Sequence, residues 1–185
     1  MGQNDRVAIY IDGSNFYHYL KEAGLQKGEK FLFRLFVDSF VGARQCVSRR
    51  YYTGIFRDVD GSEKSRQLVK GQQKFLSELQ NNGFDIKRGR IMYDSGRTRE
   101  KGTDVKIAID LVVGASDDLY DVAIVISSDT DLIPAIKYIK HKNKQVEYIG
   151  FSHAPSLGMQ KHVDFSRLLS NHDITNFKRA NDVSV

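Results

Sequence analysis

Two runs of this chain end alike, and together they restrict the fold more than any other feature. VAIYIDGSN (Val7 to Asn15) and VAIVISSDTD (Val122 to Asp131) are each rich in Val and Ile, then break into small polar residues and carboxylates. Continuous β-branched runs of this kind suit strands buried on both faces, as in a parallel sheet. In such a sheet, ligands bind in the crevice beyond the carboxyl ends of the strands. If the two strands are neighbours, Asp12, Asp129 and Asp131 share one crevice. Crowded carboxylates raise each other's pKa values, and the usual relief is a hard divalent cation with oxygen ligands.

The remaining pattern alternates in the way this frame requires. Strand 7–11 leads into a helix near Ser14, and a second apolar helical stretch spans about 31–41. An extended run at 46–56 precedes a helix at 63–82, where Leu68, Phe75, Leu76 and Leu79 keep near-helical spacing up to Asn81-Asn82-Gly83. Phe84 to Lys87 and Gly89 to Tyr93 read as short extended pieces, followed by a polar segment, and Thr103 as the cap of a helix reaching about Val113. Strand 122–126 precedes a helix at 131–142 with Pro134 in its first turn, and Gln145 to Gly150 is a further strand. The expectation is an α/β, Rossmann-like three-layer sandwich with a mainly parallel sheet, right-handed crossovers setting its loops along one edge. At 185 residues it forms one domain over 1–170, with a polar tail at 171–185 that frays.

Composition narrows the setting. A single cysteine, Cys46, allows no internal disulfide and reads as a small core residue, which fits a reducing cytoplasm. The start lacks the order of a secretory signal, and no apolar run approaches the roughly 18 residues of a membrane span. The net charge is +5 and the pI about 9.2. An acidic centre on a basic chain suits a polyanionic substrate held by its phosphates, although the same charge also fits a plain solvated surface.

Three segments carry the chemistry. In Asp12-Gly13-Ser14-Asn15, Gly13 permits a sharp turn, Ser14 can cap the helix, and Asn15 projects back to the same edge as an amide ligand or substrate contact. In Ser127-Ser128-Asp129-Thr130-Asp131, one Asp can serve as the cap and the other as a ligand or water-orienting base. In Lys101-Gly102-Thr103-Asp104, Asp104 falls in the first turn of a helix, where its charge suits the dipole. Asp110 lies six residues on, about 120° around that helix, and reads as a supporting or structural residue. Arg97, Arg99 and Lys101 in the preceding polar segment, with Lys87, Arg88 and Arg90 upstream, could clamp a phosphate backbone, and Lys101 could instead pair with a carboxylate. Tyr17, Tyr51, Tyr52 and Tyr93 are candidates for base stacking, against the plainer reading that they fill the core. The five histidines show no metal-ligand spacing, and phosphate-binding glycine loops are absent, so neither zinc nor a nucleotide cofactor is expected.

YIDGSNFY, KGTDVKIAIDL and VISSDTDLIPAIKYIKHKNKQVEYIGF, in this order and spacing, resemble the NYN domain family, which includes the LabA/DUF88 group within the PIN-like ribonucleases. The resemblance covers about residues 5–170. It implies a PIN-like fold and metal-dependent cleavage of RNA. By position, the family's acidic cluster falls on Asp12, Asp104, Asp129 and Asp131, with Asn15 in the first motif. Ser128 stands where a glycine is common, which bears on substrate fit. Four such carboxylates would hold one or two Mg²⁺ or Mn²⁺ ions, acidifying a water for attack on phosphorus. The expected partner is RNA, single-stranded or structured, with a homodimer possible and no membrane. The competing expectations are an RNA-binding or regulatory module of the same fold, and a phosphohydrolase acting on small substrates.

Overall fold

The computed structural model describes residues 2, 4–26, 29–94 and 97–179; the side chains of residues 94–99 lie outside that description. The central strand is β1, Arg6–Asp12, which enters helix α1, Gly13–Glu22, without a linker. A short strand β2, Lys30–Phe31, precedes α2, Phe33–Val41, and the long strand β3, Gln45–Ile55, leads by a turn to α3, Glu63–Asn81. Strands β4, Asp85–Asp94, and β5, Arg97–Lys101, form a hairpin that feeds α4, Thr103–Ser116. Strand β6, Val122–Ile126, passes through a 3₁₀ turn, Thr130–Leu132, into α5, Ile133–His141. Then come β7, Gln145–Phe151; α6, Leu157–His162; β8, Phe165–Leu169; α7, Asn171–Thr175; and β9, Lys178–Arg179.

Seven strands make one sheet in the order β5-β4-β3-β1-β6-β7-β8. Every neighbouring pair is parallel except the β4–β5 hairpin. From β1 the chain first builds outward through β3 and β4, then returns to lay β6, β7 and β8 on the other side. The order therefore reverses between β1 and β6, and such a switch point opens a crevice at the carboxyl ends. The register pairs Ile11 with Ile126, which brings Asp12 level with Ser127.

Alternation along β1 divides the core into two layers. Val7, Ile9 and Ile11 face Phe16, Leu20, Phe36 and Leu79 on the α1–α3 side. Ala8 and Tyr10 face Ile107, Leu111, Ile136 and Ile139 under α4 and α5. Each fully buried Ile, Leu or Phe contributes roughly 1.5–3 kcal/mol, so the elements that carry the crevice rest on the most deeply packed part of the molecule.

Three expectations change. The polar segment before Asp104 is the edge strand β5, antiparallel to β4 with Arg90 opposite Lys101, because a short connection lets the charged run complete the sheet edge. Thr103 is the first helical residue of α4; the cap is Gly102, whose φ of 81° suits glycine. The segment after 170 folds back: Ile174 is fully buried, Phe177 packs 5.3 Å from Phe36 (ring centroids), and β9 pairs with β2. Residues 180–185 lie outside the described part.

Gly13 serves close approach. It has no positive φ, but a Cβ there would sit 2.5 Å from the Tyr51 ring and 2.6 Å from the Tyr52 carbonyl oxygen. Gly13→Ala must push β3 away from the start of α1, and we expect a loss of about 1–3 kcal/mol in urea unfolding.

Candidate active site

The crevice is built from three turns. The first is the junction of β1 and α1. Asp12 is only 6% exposed and is the N-cap of α1, its Oδ1 accepting the Asn15 backbone N–H at 3.1 Å. The Ser127 hydroxyl donates to Asp12 Oδ2 at 3.0 Å, joining the second turn to the first. Asn15 adds another tie, its Oδ1 accepting the Ser128 backbone N–H at 3.1 Å. The Ser128 hydroxyl shares a hydrogen bond of 2.8 Å with the Tyr148 hydroxyl. Asn15 and Ser128 thus lock the β1 and β6 turns together, and the larger residue in place of the common glycine gains a partner on β7.

In the second turn Asp129 caps the 3₁₀ segment, its Oδ1 accepting the Asp131 N–H at 2.9 Å, while the Ser127 hydroxyl accepts the Asp129 N–H at 3.2 Å. Asp131 is exposed. The third turn, Lys101-Gly102-Thr103, delivers Asp104 in the first turn of α4. Asp104 lines the cleft that also contains Asp12, Ser14, Asn15, His18 and Glu100. It also lines an apolar groove between α4 and α5 that contains Asp131.

Charge ties these groups into one field. Burial is the main cause that pushes Asp12 up to about 6; its two hydrogen bonds oppose the shift, and the charges of Asp104 and Glu100 add to it. Asp104 is also raised, by burial first and then by Asp129, Glu100 and Asp131. Asp104 thus shares one cleft with Asp12 and an adjoining groove with Asp131, and stands between the Asp12 side and the Asp129–Asp131 side. Every donor is an oxygen, which suits a hard cation. Among the described residues, no three His, Cys, Asp or Glu side chains are drawn close enough to grip one ion directly. The set suits an ion that keeps part of its water shell, as Mg²⁺ does with one or two carboxylates.

Sequence reasoning missed two lining residues, Glu100 and His18. Glu100 was hidden among the charges of β5, where alternation along an unrecognised strand was its only signal. His18 sits one turn along α1, 3.4 Å from Glu22. Asp110 belongs elsewhere: it accepts the Tyr52 hydroxyl at 2.8 Å and lies 3.6 Å from Arg50, a structural pairing beneath α4. Tyr51 and Tyr52 are buried core residues and cannot stack on a base. Tyr17 and Tyr93 are exposed, the latter hydrogen-bonded to the Arg57 backbone. Lys101 is exposed and makes no ion pair among the described residues. The side chains of Arg97 and Arg99 lie outside the described part.

The match that decides the family is to the NYN domain, whose family model covers residues 6–169. The chain belongs to the NYN domain family. Members of this PIN-like family are generally nucleases, and the three acidic turns of this NYN domain all fall within the matched span. A solved structure, that of VPA0982 of Vibrio parahaemolyticus RIMD 2210633, a protein of unknown function, has a similar fold. It aligns with a TM-score of 0.69 at 23% identity, over 91% of this chain and 95% of that one. No curated protein matches the chain. No described helix is long and apolar enough to cross a membrane.

Proposed function

We propose that this NYN domain is a ribonuclease that hydrolyses RNA phosphodiester bonds with Mg²⁺ or Mn²⁺ held by Asp12, Asp104, Asp129 and Asp131. One observation carries the reading: a buried carboxylate, Asp12, is held fixed at the switch point of the sheet in the field of Asp104 and Glu100, and Asp104 in turn feels Asp129 and Asp131. A site that concentrates negative charge where a polyanion must approach needs a cation to make it useful. Bound there, the ion would supply Lewis-acid charge for the phosphoryl oxygens and acidify the attacking water.

The chain's own residues do the rest. Ser127 and the Asn15 amide fix both oxygens of Asp12, so the carboxylate presents one orientation. Asp129 is aimed by the Asp131 N–H, and Asp104 spans the two halves of the site. To Lys101, exposed at the end of β5 between the cleft residues Glu100 and Thr103, we assign contact with a substrate phosphate. We assign the same role to Arg97 and Arg99 from their position in the chain.

A second reading, an RNA-binding module without turnover, draws on the lack of three directly converging ligands among the described residues. The two separate on substrate. Labelled single-stranded and structured RNA, DNA and a small chromogenic phosphodiester are incubated with Mg²⁺, Mn²⁺ or EDTA. Cutting of RNA that EDTA stops supports the nuclease. RNA bound but left intact with both metals gives the lead to the binding module.

A further inference from the structure

Glu100 reaches into the site from an edge strand, and the fold makes room for it. Its side chain passes over two glycines of the neighbouring strands. A Cβ on Gly54 would come within 3.1 Å of the Glu100 carboxyl carbon, and one on Gly89 within 3.5 Å of Glu100 Oε1. The tightest neighbours of those positions are Ile91, 2.7 Å from a Cβ on Gly54, and Thr103 Oγ1, 2.4 Å from a Cβ on Gly89, the latter being the hydroxyl that Glu100 itself holds. At its end the carboxylate accepts two hydroxyls, Ser14 Oγ on Oε2 and Thr103 Oγ1 on Oε1. Ser14 lies in the first turn of α1 and Thr103 begins α4. One carboxylate therefore bridges the amino ends of the two helices that carry Asp12, Asn15 and Asp104. Negative charge is also favoured there, since both helix dipoles point their positive ends at it.

We propose that Glu100 is a positioning residue of the acidic site, setting the separation of the Asp12 and Asp104 carboxylates by clamping α1 to α4. This inference rests on the metal-dependent nuclease reading above. It also gives the β4–β5 hairpin a function beyond finishing the sheet: the hairpin docks against the cleft through Glu100. Without the bridge each helix start is free to relax under the mutual repulsion of the carboxylates, and an ion between them loses its fit.

The test is Glu100→Ala beside Glu100→Gln, read by Mn²⁺ titration, RNA cleavage and thermal unfolding. Residues that orient metal ligands typically contribute about 10–100-fold in affinity or activity, and Glu100→Ala is expected to lose that much in Mn²⁺ affinity and in kcat, with KM for RNA within about twofold. Glu100→Gln keeps the shape and can still bond both hydroxyls, so it should recover most of the loss. Thermal midpoints of both variants should stay close to wild type. Unchanged Mn²⁺ affinity and kcat in Glu100→Ala would overturn the inference while leaving the nuclease intact. Glu100→Gln as impaired as Glu100→Ala would assign Glu100 to charge rather than position, and so overturn it too. Wild-type protein that neither binds Mn²⁺ nor cuts RNA would remove the nuclease reading itself, and the inference with it.

Discussion

Asparagine in place of Asp12 is expected to cost RNA hydrolysis on the order of 100-fold or more, while making the metal-free protein more stable at neutral pH. Asp12→Asn removes one charge from a crowded, buried site. Asparagine keeps an acceptor for the Asn15 N–H and can donate to Ser127, so the turn should survive. The stability gain follows from the pKa. Burial holds Asp12 near about 6, against 3.8 for an ordinary aspartate. The folded state thus binds that proton more tightly than the unfolded chain does. Its charged form carries a penalty that is complete above about pH 6, shrinks as pH falls and vanishes below about pH 4. At about 1.4 kcal/mol per unit, the two-unit gap corresponds to an upper bound of about 3 kcal/mol. Urea unfolding in EDTA should find Asp12→Asn about 1–3 kcal/mol more stable at pH 7.5, with the difference closing towards pH 4. Added Mn²⁺ should stabilise the wild type and not the variant. Wild-type activity at subsaturating metal should fall as pH drops through about 6. An Asp12→Asn protein less stable than wild type at every pH would mean that Asp12 is a structural cap alone.

The largest stability effect lies away from the cleft. Arg44 and Glu147 form a bidentate pair, with 11% and 6% of their side chains exposed, and one of the two contacts measures 3.2 Å. The Arg44 guanidinium also donates to the carbonyls of Phe40 at 2.7 Å and Val41 at 3.0 Å, closing the end of α2. Glu147 sits on β7, opposite Phe165 of β8. Arg44→Ala strands a carboxylate inside the protein and leaves carbonyls unpaired. Breaking such a pair from one side costs about 3–5 kcal/mol, which for a domain of this size is a large share of the total. The double variant Arg44→Met with Glu147→Leu should recover most of that loss, because it removes both charges together. A single variant within about 1 kcal/mol of wild type would show that water reaches Glu147 easily.

How far the sequence could be read depended on how local each signal was. Asp12 and Asp129 announced themselves because a buried parallel strand leaves an uninterrupted apolar run, and its end is visible from the strand itself. Asp104 was legible from its place in the first turn of a helix. That β1 and β6 are neighbours is a matter of topology; in the sequence it stood only as a condition, and the register of Ile11 with Ile126 shows it. Glu100 could not be read in this way. Its role depends on a hairpin between charged strands, on two glycines from β3 and β4, and on hydroxyls 86 residues away and three residues away in sequence. For Tyr51 and Tyr52 the plainer reading, that they fill the core, holds: β3 lies inside the sheet with helices on both faces, so each layer buries one. The fold-back of α7 and β9 was obscured because single apolar residues, Ile174 and Phe177, do the packing within a polar stretch.

The central claim is that the acidic crevice cuts RNA with a divalent metal. Its most direct test is cleavage of one labelled RNA by purified wild type and Asp129→Asn in parallel, each with Mn²⁺ and with EDTA. The account predicts cutting by the wild type with Mn²⁺, and almost none in the other three reactions. Equal cutting by Asp129→Asn, or cutting that persists in EDTA, would contradict it.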